Sequence, residues 1–268
     1  MSYKLLVLDI DGTLLNSEKK ISKKTKDALK DAQESGVIVV LASGRPTQGI
    51  VSIAQEIGLD KYGGYILSFN GAIVTNIQTG EVVFETVLPH HKIKELYDAS
   101  REYGVSIVSY KDGAIITENE DDKYVEIEAR INNMPVVKVD NFVETLTQPI
   151  TKCLMLGDGD YLESVEVEVN KLFGDVLNIY RSEPFFLEIM PQNVDKAYSL
   201  ERLLNHLNLS REEMVACGDG FNDLSMVRYA GLGVAMGNAQ TVVKEEADFI
   251  TATNDEDGLV DVIEQFFL

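Results

Sequence analysis

The sequence is poor in cysteine, since its 268 residues include only Cys153 and Cys217. Both lie in apolar runs that predict strands, so we expect buried free thiols and no disulfide, as in a reducing cytoplasm. The three histidines lie in polar or helical segments, and no cysteine and histidine cluster has the spacing of a zinc site. These absences argue against a disulfide-stabilised secreted domain or a zinc protein, and they predict a cytoplasmic location.

Long apolar runs and basic side chains are scarce as well. No apolar stretch approaches the roughly 20 residues needed to span a bilayer, and the short run after Lys4 ends at Asp9, which is too early for a secretory signal. The chain carries 24 Lys and Arg against 44 Asp and Glu, for a net charge of −20. A nucleic-acid binder would need a basic patch. We therefore expect neither a membrane nor a nucleic acid as partner.

The sequence does contain enough apolar residues for a core, because 45% of its residues are hydrophobic. Short buried strands alternate with helices over residues 1–84 and again over residues 187–268, which predicts a parallel sheet covered on both faces. Over residues 85–186 the pattern changes to adjacent strands with a hairpin turn at Lys111-Asp112-Gly113. The sequence thus predicts an α/β fold whose parallel-sheet core is interrupted by an inserted α/β module.

The predicted core elements have recognisable ends. Ser22 is a typical N-cap and Gly36 a typical residue just past a helix, so a helix is expected between them. The other core elements used below are the strands Lys4–Asp9, Val37–Ala42, Tyr65–Phe69 and Met214–Cys217 and the helix Asp195–Leu207.

The first candidate site is the run Asp9-Ile10-Asp11-Gly12-Thr13, at the end of the first predicted strand. Ligands of open parallel sheets bind outside the carboxyl ends of strands. Residues i and i+2 of a strand project to the same side, so Asp9 and Asp11 are expected to face one site. One carboxylate can act as a nucleophile and the other as general acid and base. A turn without function is the alternative, whereas a calcium EF-hand is excluded because Leu14 and Lys20 occupy its sixth and twelfth positions.

The second candidate is the run Gly218–Asp223, which reads GDGFND and follows another predicted strand. With Asp9, its residues Asp219 and Asp223 would form an all-oxygen site of the kind that Mg²⁺ prefers. A lone Gly-Asp-Gly is usually only a turn. The similar run Gly157–Asp160 lacks the Asn-Asp pair and lies in the inserted module, so we interpret it as a structural turn.

Two weaker candidates complete the set. Ser43-Gly44-Arg45 follows the second predicted strand, where the hydroxyl and backbone N–H groups could bind phosphoryl oxygens. Taken alone, this run indicates a loop with a surface arginine. Lys196 lies near a helix start, where the dipole disfavours a cation, so a lysine aimed at an anion would explain the position, although exposed helix lysines are common. All four motifs fall at strand ends or at a helix start of the predicted core, which indicates one site.

Together these motifs resemble those of the haloacid dehalogenase (HAD) superfamily of phosphotransferases, over essentially the whole chain. DIDGT matches the first motif, Ser43 the second, Lys196 the third and GDGFND the fourth. The insertion between the second and third motifs is similar to that of Cof-like type II members, which carry an α/β cap. The resemblance implies a Rossmann-like HAD core over 1–84 and 187–268 and a substrate-selecting cap over 85–186.

The resemblance also implies a role for each site residue. Asp9 would be the nucleophile and a Mg²⁺ ligand, and Asp11 the general acid and base and a Mg²⁺ ligand through its carbonyl. Asp219 would be a carboxylate ligand and Asp223 would support the metal shell. The phosphoryl group would be held by the Ile10 backbone, Ser43, Gly44, Lys196 and Asn222. Ser43 stands where threonine is more usual and Ala197 where glycine is frequent, and neither change removes a group that the chemistry needs.

The function implied is Mg²⁺-dependent hydrolysis of a small phosphorylated metabolite, chiefly a sugar phosphate, through an aspartyl-phosphate. One alternative is a phosphomutase of the same superfamily, which would keep both aspartates of the first motif. The other is a non-catalytic phospho-ligand sensor, which is disfavoured because all four motifs are intact. The resemblance covers phosphatases of sugars, pyridoxal phosphate and flavin precursors, so the metabolite, the cap residues that select it and the oligomeric state stay open.

Overall fold

The computed structural model describes residues 3–268, so the first two residues of the predicted core lie outside it. The chain divides into two compact units. The first runs to Phe84 and resumes over Asp195–Leu268, and the second comprises Glu85–Val194. Within the described range, no helix is long and apolar enough to cross a membrane.

Strands and helices of the described residues are numbered along the chain. The strands are β1 (Leu5–Leu8), β2 (Ile38–Ala42), β3 (Tyr65–Ser68), β4 (Ile73–Asn76), β5 (Val82–Glu85), β6 (Ser106–Lys111), β7 (Ala114–Thr117), β8 (Val136–Lys138), β9 (Cys153–Leu156), β10 (Leu177–Glu183), β11 (Phe186–Pro191), β12 (Met214–Gly218), β13 (Leu232–Ala235) and β14 (Phe249–Ile250). The helices are α1 (Lys23–Glu34), α2 (Thr47–Glu56), α3 (Leu59–Tyr62), α4 (His90–Glu102), α5 (Lys123–Asn132), α6 (Phe142–Thr145), α7 (Gly159–Phe173), α8 (Lys196–Leu207), α9 (Leu224–Tyr229), α10 (Thr241–Glu246) and α11 (Gly258–Phe266).

The sheet of the first unit has the strand order β14-β13-β12-β1-β2-β3-β4-β5. From β14 to β3 every neighbouring pair is parallel, and β4 then returns antiparallel to β3. The central strand β1 has Leu5 opposite Met214 on one side and Ile38 on the other, and all four of its residues are buried. A strand that is apolar on both faces is typical of a parallel sheet between two helical layers. The predicted α/β core is therefore confirmed.

Helix ends in the first unit follow the predicted capping chemistry. The Ser22 side chain accepts a hydrogen bond from the Thr25 N–H at the start of α1, and Gly36 follows the helix at φ +92°. At the start of α8, the Asp195 side chain accepts hydrogen bonds from the N–H groups of Ala197 and Tyr198. This cap fixes the first turn of α8, on which Lys196 lies.

The second unit is an antiparallel sheet with helices on both faces. Its strand order is β10-β11-β9-β6-β7-β8, and all neighbouring pairs are antiparallel except β7 and β8. The hairpin between β6 and β7 turns at Asp112 and Gly113, which have φ of 51° and 77°. Two positive φ values identify the tight hairpin turn expected from Asp-Gly. Apolar side chains of α4 and α7 pack on one face, and those of α5 pack on the other.

The boundary between the units differs from the one predicted. The sequence pattern predicted that the core resumes at residue 187, but this residue lies inside β11. Because β11 pairs with β9 on one side and β10 on the other, its residues belong to the second unit, and the first unit resumes at Asp195. The prediction also missed α3, β4, β8 and α6, which have only three or four residues each and lack the unbroken apolar run that marked the other short strands.

Both cysteines are buried and free, as predicted. Burial raises the pKa of the Cys153 thiol to about 12 and raises that of Cys217 further above its ordinary value. Both sulfurs therefore remain protonated thiols, which are poor nucleophiles and poor metal ligands.

Candidate active site

Three of the predicted motifs follow adjacent strands. β12, β1 and β2 are parallel neighbours, so their carboxyl ends lie at one edge of the sheet. Asp9 directly follows β1, Ser43 directly follows β2, and Asp219 directly follows β12. The topology thus brings residues from both halves of the first unit to one edge, where ligands of parallel sheets bind.

The chain turns sharply after Asp9. The Leu14 N–H donates to the Asp9 carbonyl at 3.2 Å. Gly12 has φ of +90°, a backbone conformation that favours glycine. A Cβ atom at Gly12 would lie 2.4 Å from Oδ2 of Asp219. Glycine is therefore required there both by the turn and by the close approach of the Asp219 carboxylate.

Lys196 lies between site carboxylates and not in solvent. Its Nζ donates to Oδ1 of Asp9 at 2.7 Å, to Oδ1 of Asp223 at 2.5 Å and to the carbonyl of Ala42 at 2.8 Å. These three bonds use all the protons of the ammonium group. Burial alone would lower the pKa of Lys196, but the carboxylates of Asp223 and Asp9 outweigh burial and hold the pKa above its ordinary value. The alternative of an exposed helix lysine is wrong.

Three carboxylates meet beside this lysine. One oxygen from each of Asp9, Asp219 and Asp223 lies within 4.8 Å of the others. Oδ2 of Asp223 accepts hydrogen bonds from the backbone N–H groups of Asp219 at 2.9 Å and Gly220 at 2.8 Å. The Thr13 hydroxyl donates to Oδ1 of Asp219 at 2.9 Å. Backbone and hydroxyl donors therefore fix the orientation of two of the three carboxylates.

The cluster carries more negative charge than Lys196 neutralises. Burial raises the pKa of Asp219 to about 6. Burial and, next, the Asp223 carboxylate raise the pKa of Asp9 well above its usual range, against the opposing effect of Lys196. An all-oxygen set of carboxylates is the donor chemistry of Mg²⁺ and Ca²⁺. The residues present therefore fit a divalent cation.

Asp11 does not join the carboxylate cluster. Its Oδ2 and Oδ1 accept hydrogen bonds from Nε and Nη2 of Arg45, both at 2.8 Å, and Oδ1 also accepts from Nζ of Lys19 at 3.0 Å. Partial burial raises the pKa of Asp11, but hydrogen bonds and charge from Arg45, and then from Lys19, outweigh it and lower the pKa overall. The structure thus has the Asp11 carboxylate ionised and held by two cations.

The predicted phosphoryl-binding residues near the first two strands lie at the same edge. Ser43 is buried, and its Oγ accepts a hydrogen bond from the Arg45 N–H at 3.2 Å. The Ile10 side chain is fully buried in the core, so only its backbone is available to a ligand. Arg45, expected at the surface, has a side chain only 18% exposed because it pairs with Asp11.

Asn222 contacts a residue that the sequence did not single out. Nδ2 of Asn222 donates to Oδ1 of Asn70 at 3.2 Å. The same Asn70 amide lies against Gly44, since a Cβ atom added at Gly44 would be 3.2 Å from Oδ1 of Asn70. Asn70 is thus hydrogen-bonded to one of the predicted phosphoryl-binding residues and lies beside another. The signal that could have found it is its position just past β3, the strand after β2 in the sheet.

Thr13 and Arg45 were also missed as site residues. Both lie inside motifs that the sequence singled out, but their contacts with Asp219 and Asp11 depend on how the loops fold. The run Gly157–Asp160 belongs to the second unit and leads into α7, whereas the carboxylate cluster belongs to the first unit.

The sequence matches the haloacid dehalogenase-like hydrolase family over residues 6–263. A 5-amino-6-(5-phospho-D-ribitylamino)uracil phosphatase of Bacillus subtilis (strain 168), YitU, is 31% identical over 272 residues, which cover 98% of this chain and 97% of the relative. The solved structure of a haloacid dehalogenase-like hydrolase from Bacteroides thetaiotaomicron is 49% identical with a TM-score of 0.95, covering 99% of this chain and 100% of that one. The structure of the HAD subclass IIB sugar phosphatase BT4131 is 27% identical with a TM-score of 0.80, covering 98% of each chain.

Proposed function

The chain belongs to the haloacid dehalogenase-like hydrolase family and is a phosphatase, and we propose that it hydrolyses a small sugar phosphate through a phosphorylated Asp9 with Mg²⁺ beside it. The observation that carries this proposal is the contact between Asp9 and Lys196. Lys196 donates to Oδ1 of Asp9, which orients the carboxylate and leaves Oδ2 as the attacking oxygen. A buried, oriented carboxylate at the carboxyl end of a parallel strand is what a nucleophile of this kind requires.

The bound metal ion is proposed on the basis of the carboxylate cluster. Asp9 and Asp219 would be carboxylate ligands, the carbonyl of Asp11 would be a third protein ligand, and Asp223 would support them. When bound, the ion would supply positive charge to the phosphoryl oxygens, over which the negative charge of the transition state is spread. The raised pKa values of Asp9 and Asp219 support this assignment, because a bound cation would offset the burial that chiefly raises them and the repulsion from Asp223 that adds to it.

The reaction has two halves. In the first, Oδ2 of Asp9 forms a bond to phosphorus while the ester P–O bond breaks, and the departing alcohol takes a proton from Asp11. In the second, Asp11 accepts a proton from water, the water oxygen attacks phosphorus, and the bond to Asp9 breaks to release inorganic phosphate. The ionised Asp11 of the structure matches the second half. For the first half, Asp11 must leave Arg45 and Lys19 and take up a proton.

The substrate's phosphoryl group would be held by the backbone N–H groups of Ile10 and Gly44, the Ser43 hydroxyl, the Asn222 amide and Lys196. All three protons of Lys196 are already used in the structure. Lys196 can therefore contact the phosphoryl group only by exchanging one partner, and the Ala42 carbonyl, the single neutral one, is the least costly to exchange.

The sugar phosphate is proposed from the activities of two relatives. One is named as a sugar phosphatase and the other acts on a phosphorylated ribityl chain. Both names describe a phosphate ester on a chain of hydroxyl-bearing carbons. We assign the choice of this organic part to the second unit, Glu85–Val194, which lies between the second and third motifs.

The test is a phosphate-release assay on purified protein. The panel should contain hexose and pentose phosphates, phosphorylated sugar alcohols, nucleotides and phosphoamino acids, each with Mg²⁺ and with a chelator. We expect the highest kcat/KM for a phosphorylated sugar or sugar alcohol, and only with Mg²⁺. Equal rates across the panel, or equal rates with the chelator, would contradict the proposal. Product analysis with a hexose phosphate separates the mutase alternative, which yields an isomer and no free phosphate.

A further inference from the structure

The segment that follows β3 has an unusual backbone. Phe69, Asn70 and Gly71 are consecutive, and all three have positive φ, at 51°, 54° and 102°. Asparagine and glycine tolerate this conformation, but for a bulky residue such as Phe69 it is a genuine outlier. Backbone strain of this kind persists only where surrounding contacts hold it, and it is concentrated at functional sites.

Contacts from two directions hold this segment. The Phe69 N–H donates to the carbonyl of Arg45 and the Asn70 N–H to the carbonyl of Ser43, both at 2.9 Å. On the other side, the Ser199 hydroxyl donates to the Gly71 carbonyl at 2.5 Å. The strained segment is thus bound both to the loop after β2 and to α8, the helix that begins with Lys196.

The left-handed backbone sends the Asn70 side chain between two elements of the phosphoryl pocket. Its Oδ1 accepts from Nδ2 of Asn222 at 3.2 Å, and its amide lies 3.2 to 3.3 Å from the point where a Cβ of Gly44 would be. Asn222 is exposed and its loop follows β12, whereas Gly44 follows β2. Within the described residues, no other hydrogen bond of the Asn222 side chain is found.

We propose that Asn70 is a positioning residue of the phosphatase reaction, which holds the Asn222 amide and the Gly44 loop at the spacing that a phosphoryl group requires. The inference rests on the proposed phosphoryl pocket and adds a residue to it. The competing explanation is that Asn70 only suits a tight hairpin between β3 and β4, since Asn-Gly is a common turn sequence. The two explanations differ in what the side-chain amide does.

Asn70→Gly separates them, because glycine keeps the left-handed backbone and removes only the amide. The matched control is Asn208→Gly. Asn208 also has positive φ, at 54°, and is an exposed residue of the first unit at the end of α8, away from the phosphoryl pocket. The probe is inorganic phosphate, measured as a competitive inhibitor of p-nitrophenyl phosphate hydrolysis, with melting temperatures measured in parallel.

We expect Asn70→Gly to weaken inhibition by phosphate about three- to tenfold and to raise KM more than it lowers kcat, as for the loss of one neutral hydrogen bond. Its melting temperature should match that of Asn208→Gly, which should bind phosphate like the wild type. Asn222→Ala should also weaken inhibition by phosphate, and the double variant Asn70→Gly/Asn222→Ala should lose less than the product of the two single effects, because part of what Asn70 does depends on Asn222.

Wild-type inhibition by phosphate in Asn70→Gly, or fully additive effects in the double variant, would overturn the role of Asn70. If phosphate does not compete even in the wild type, the pocket itself is wrong and the inference falls with it. If phosphate competes but Asp9→Asn keeps its activity, only the proposed nucleophile is wrong, and the Asn70 comparison is still decisive.

Discussion

Each unit of the molecule buries a lysine beside carboxylates, but the two lysines have different surroundings. Lys196 of the first unit bonds Asp9 and Asp223. Lys152 of the second unit pairs with Glu188 at 2.8 Å and lies 4.9 Å from the centre of the Tyr110 ring. Both lysine side chains are almost completely buried, at 0% and 3% exposure. Burial of a lysine is therefore not what distinguishes a site from a scaffold.

The two lysines differ in how far the surrounding carboxylates are neutralised and in whether those carboxylates lie on loops or within strands. Lys196 faces a cluster of three carboxylates, all on loops after strand ends, and one lysine cannot balance them. In the second unit, Glu188 lies within β11, and its Oε1 also accepts from the Ser182 hydroxyl at 2.9 Å. A charge excess on loops at one sheet edge indicates a place for a cation and a substrate, whereas a network satisfied by neutral donors within strands indicates structure.

Removing the nucleophile should give the largest effect. Asp9→Asn should lower the rate of phosphate release by more than about 10⁴-fold, as for loss of a nucleophile in other enzymes. The fold should persist, because the substitution removes a negative charge from a cluster that has too many. Phosphate release and the far-ultraviolet circular dichroism spectrum check both parts. Activity within tenfold of the wild type would show that another residue is the nucleophile.

The two buried lysines can be compared directly through Lys196→Met and Lys152→Met. Each variant breaks a buried ion pair and should lose about 3–5 kcal/mol of unfolding free energy. Only Lys196→Met should also lower kcat for p-nitrophenyl phosphate, by about 10²- to 10³-fold. Denaturant unfolding and steady-state kinetics at a temperature where both variants are folded provide the measurement. A similar kcat loss in Lys152→Met would remove the distinction drawn between the units.

A divalent cation should bind the excess of carboxylates in the first unit, and its binding should affect both activity and stability. A chelator should lower activity by at least about 10²-fold, and Mg²⁺ at 100 times its dissociation constant should raise the melting temperature by about 5 °C. Asp219→Asn should abolish this thermal shift. The control is Asp158→Asn in the second Gly-Asp-Gly run, which should keep the full shift. Equal shifts in both variants would contradict the metal assignment.

A smaller effect is expected on stability, because the free energy of unfolding should depend on pH through Glu128 of the second unit. Oε1 of Glu128 accepts from the Tyr110 hydroxyl at 2.5 Å and from Nδ2 of Asn132 at 2.8 Å. Burial raises the pKa of Glu128 and the Glu188 carboxylate raises it further, against the opposing effects of Lys152, Tyr110 and Asn132. The folded state therefore binds more protons than the unfolded state above the ordinary pKa of glutamate, and stability falls as pH rises through that window.

Glu128→Gln should remove this fall in stability with rising pH. In the wild type, the fall should amount to about 1.4 kcal/mol of unfolding free energy for each unit by which folding raises the pKa of Glu128. Unfolding free energies measured between pH 4 and pH 8 in both proteins check it. The same slope in the wild type and the variant would exclude Glu128 as its source.

The sequence predicted those site residues whose position depends on strand order alone. Asp9, Ser43 and Asp219 each directly follow a strong apolar strand, so the parallel topology suffices to bring them together. Ser22 and the Asp112-Gly113 turn were predicted for a similar reason, because capping and hairpin chemistry are local.

What the sequence could not provide depends on loop conformation and on partners distant along the chain. Arg45 was expected at the surface, yet its guanidinium holds Asp11 through two hydrogen bonds. Asn70 gave no motif signal, because its role arises from a strained backbone and a contact with Asn222. The unit boundary was misplaced because the pairing of β11 with β9 and β10 is not visible in a local pattern.

The measurement that tests the central claim most directly is chemical trapping of a phosphorylated Asp9. Asp11→Asn should still be phosphorylated by p-nitrophenyl phosphate, whose leaving group needs no proton, but it should hydrolyse the acyl phosphate slowly because no base activates water. Borohydride reduces an acyl phosphate to the alcohol, which converts that aspartate to homoserine, and peptide mass spectrometry locates it. We predict close to one homoserine per chain at position 9. A burst of p-nitrophenol with residue 9 still aspartate, or with homoserine elsewhere, would contradict the account.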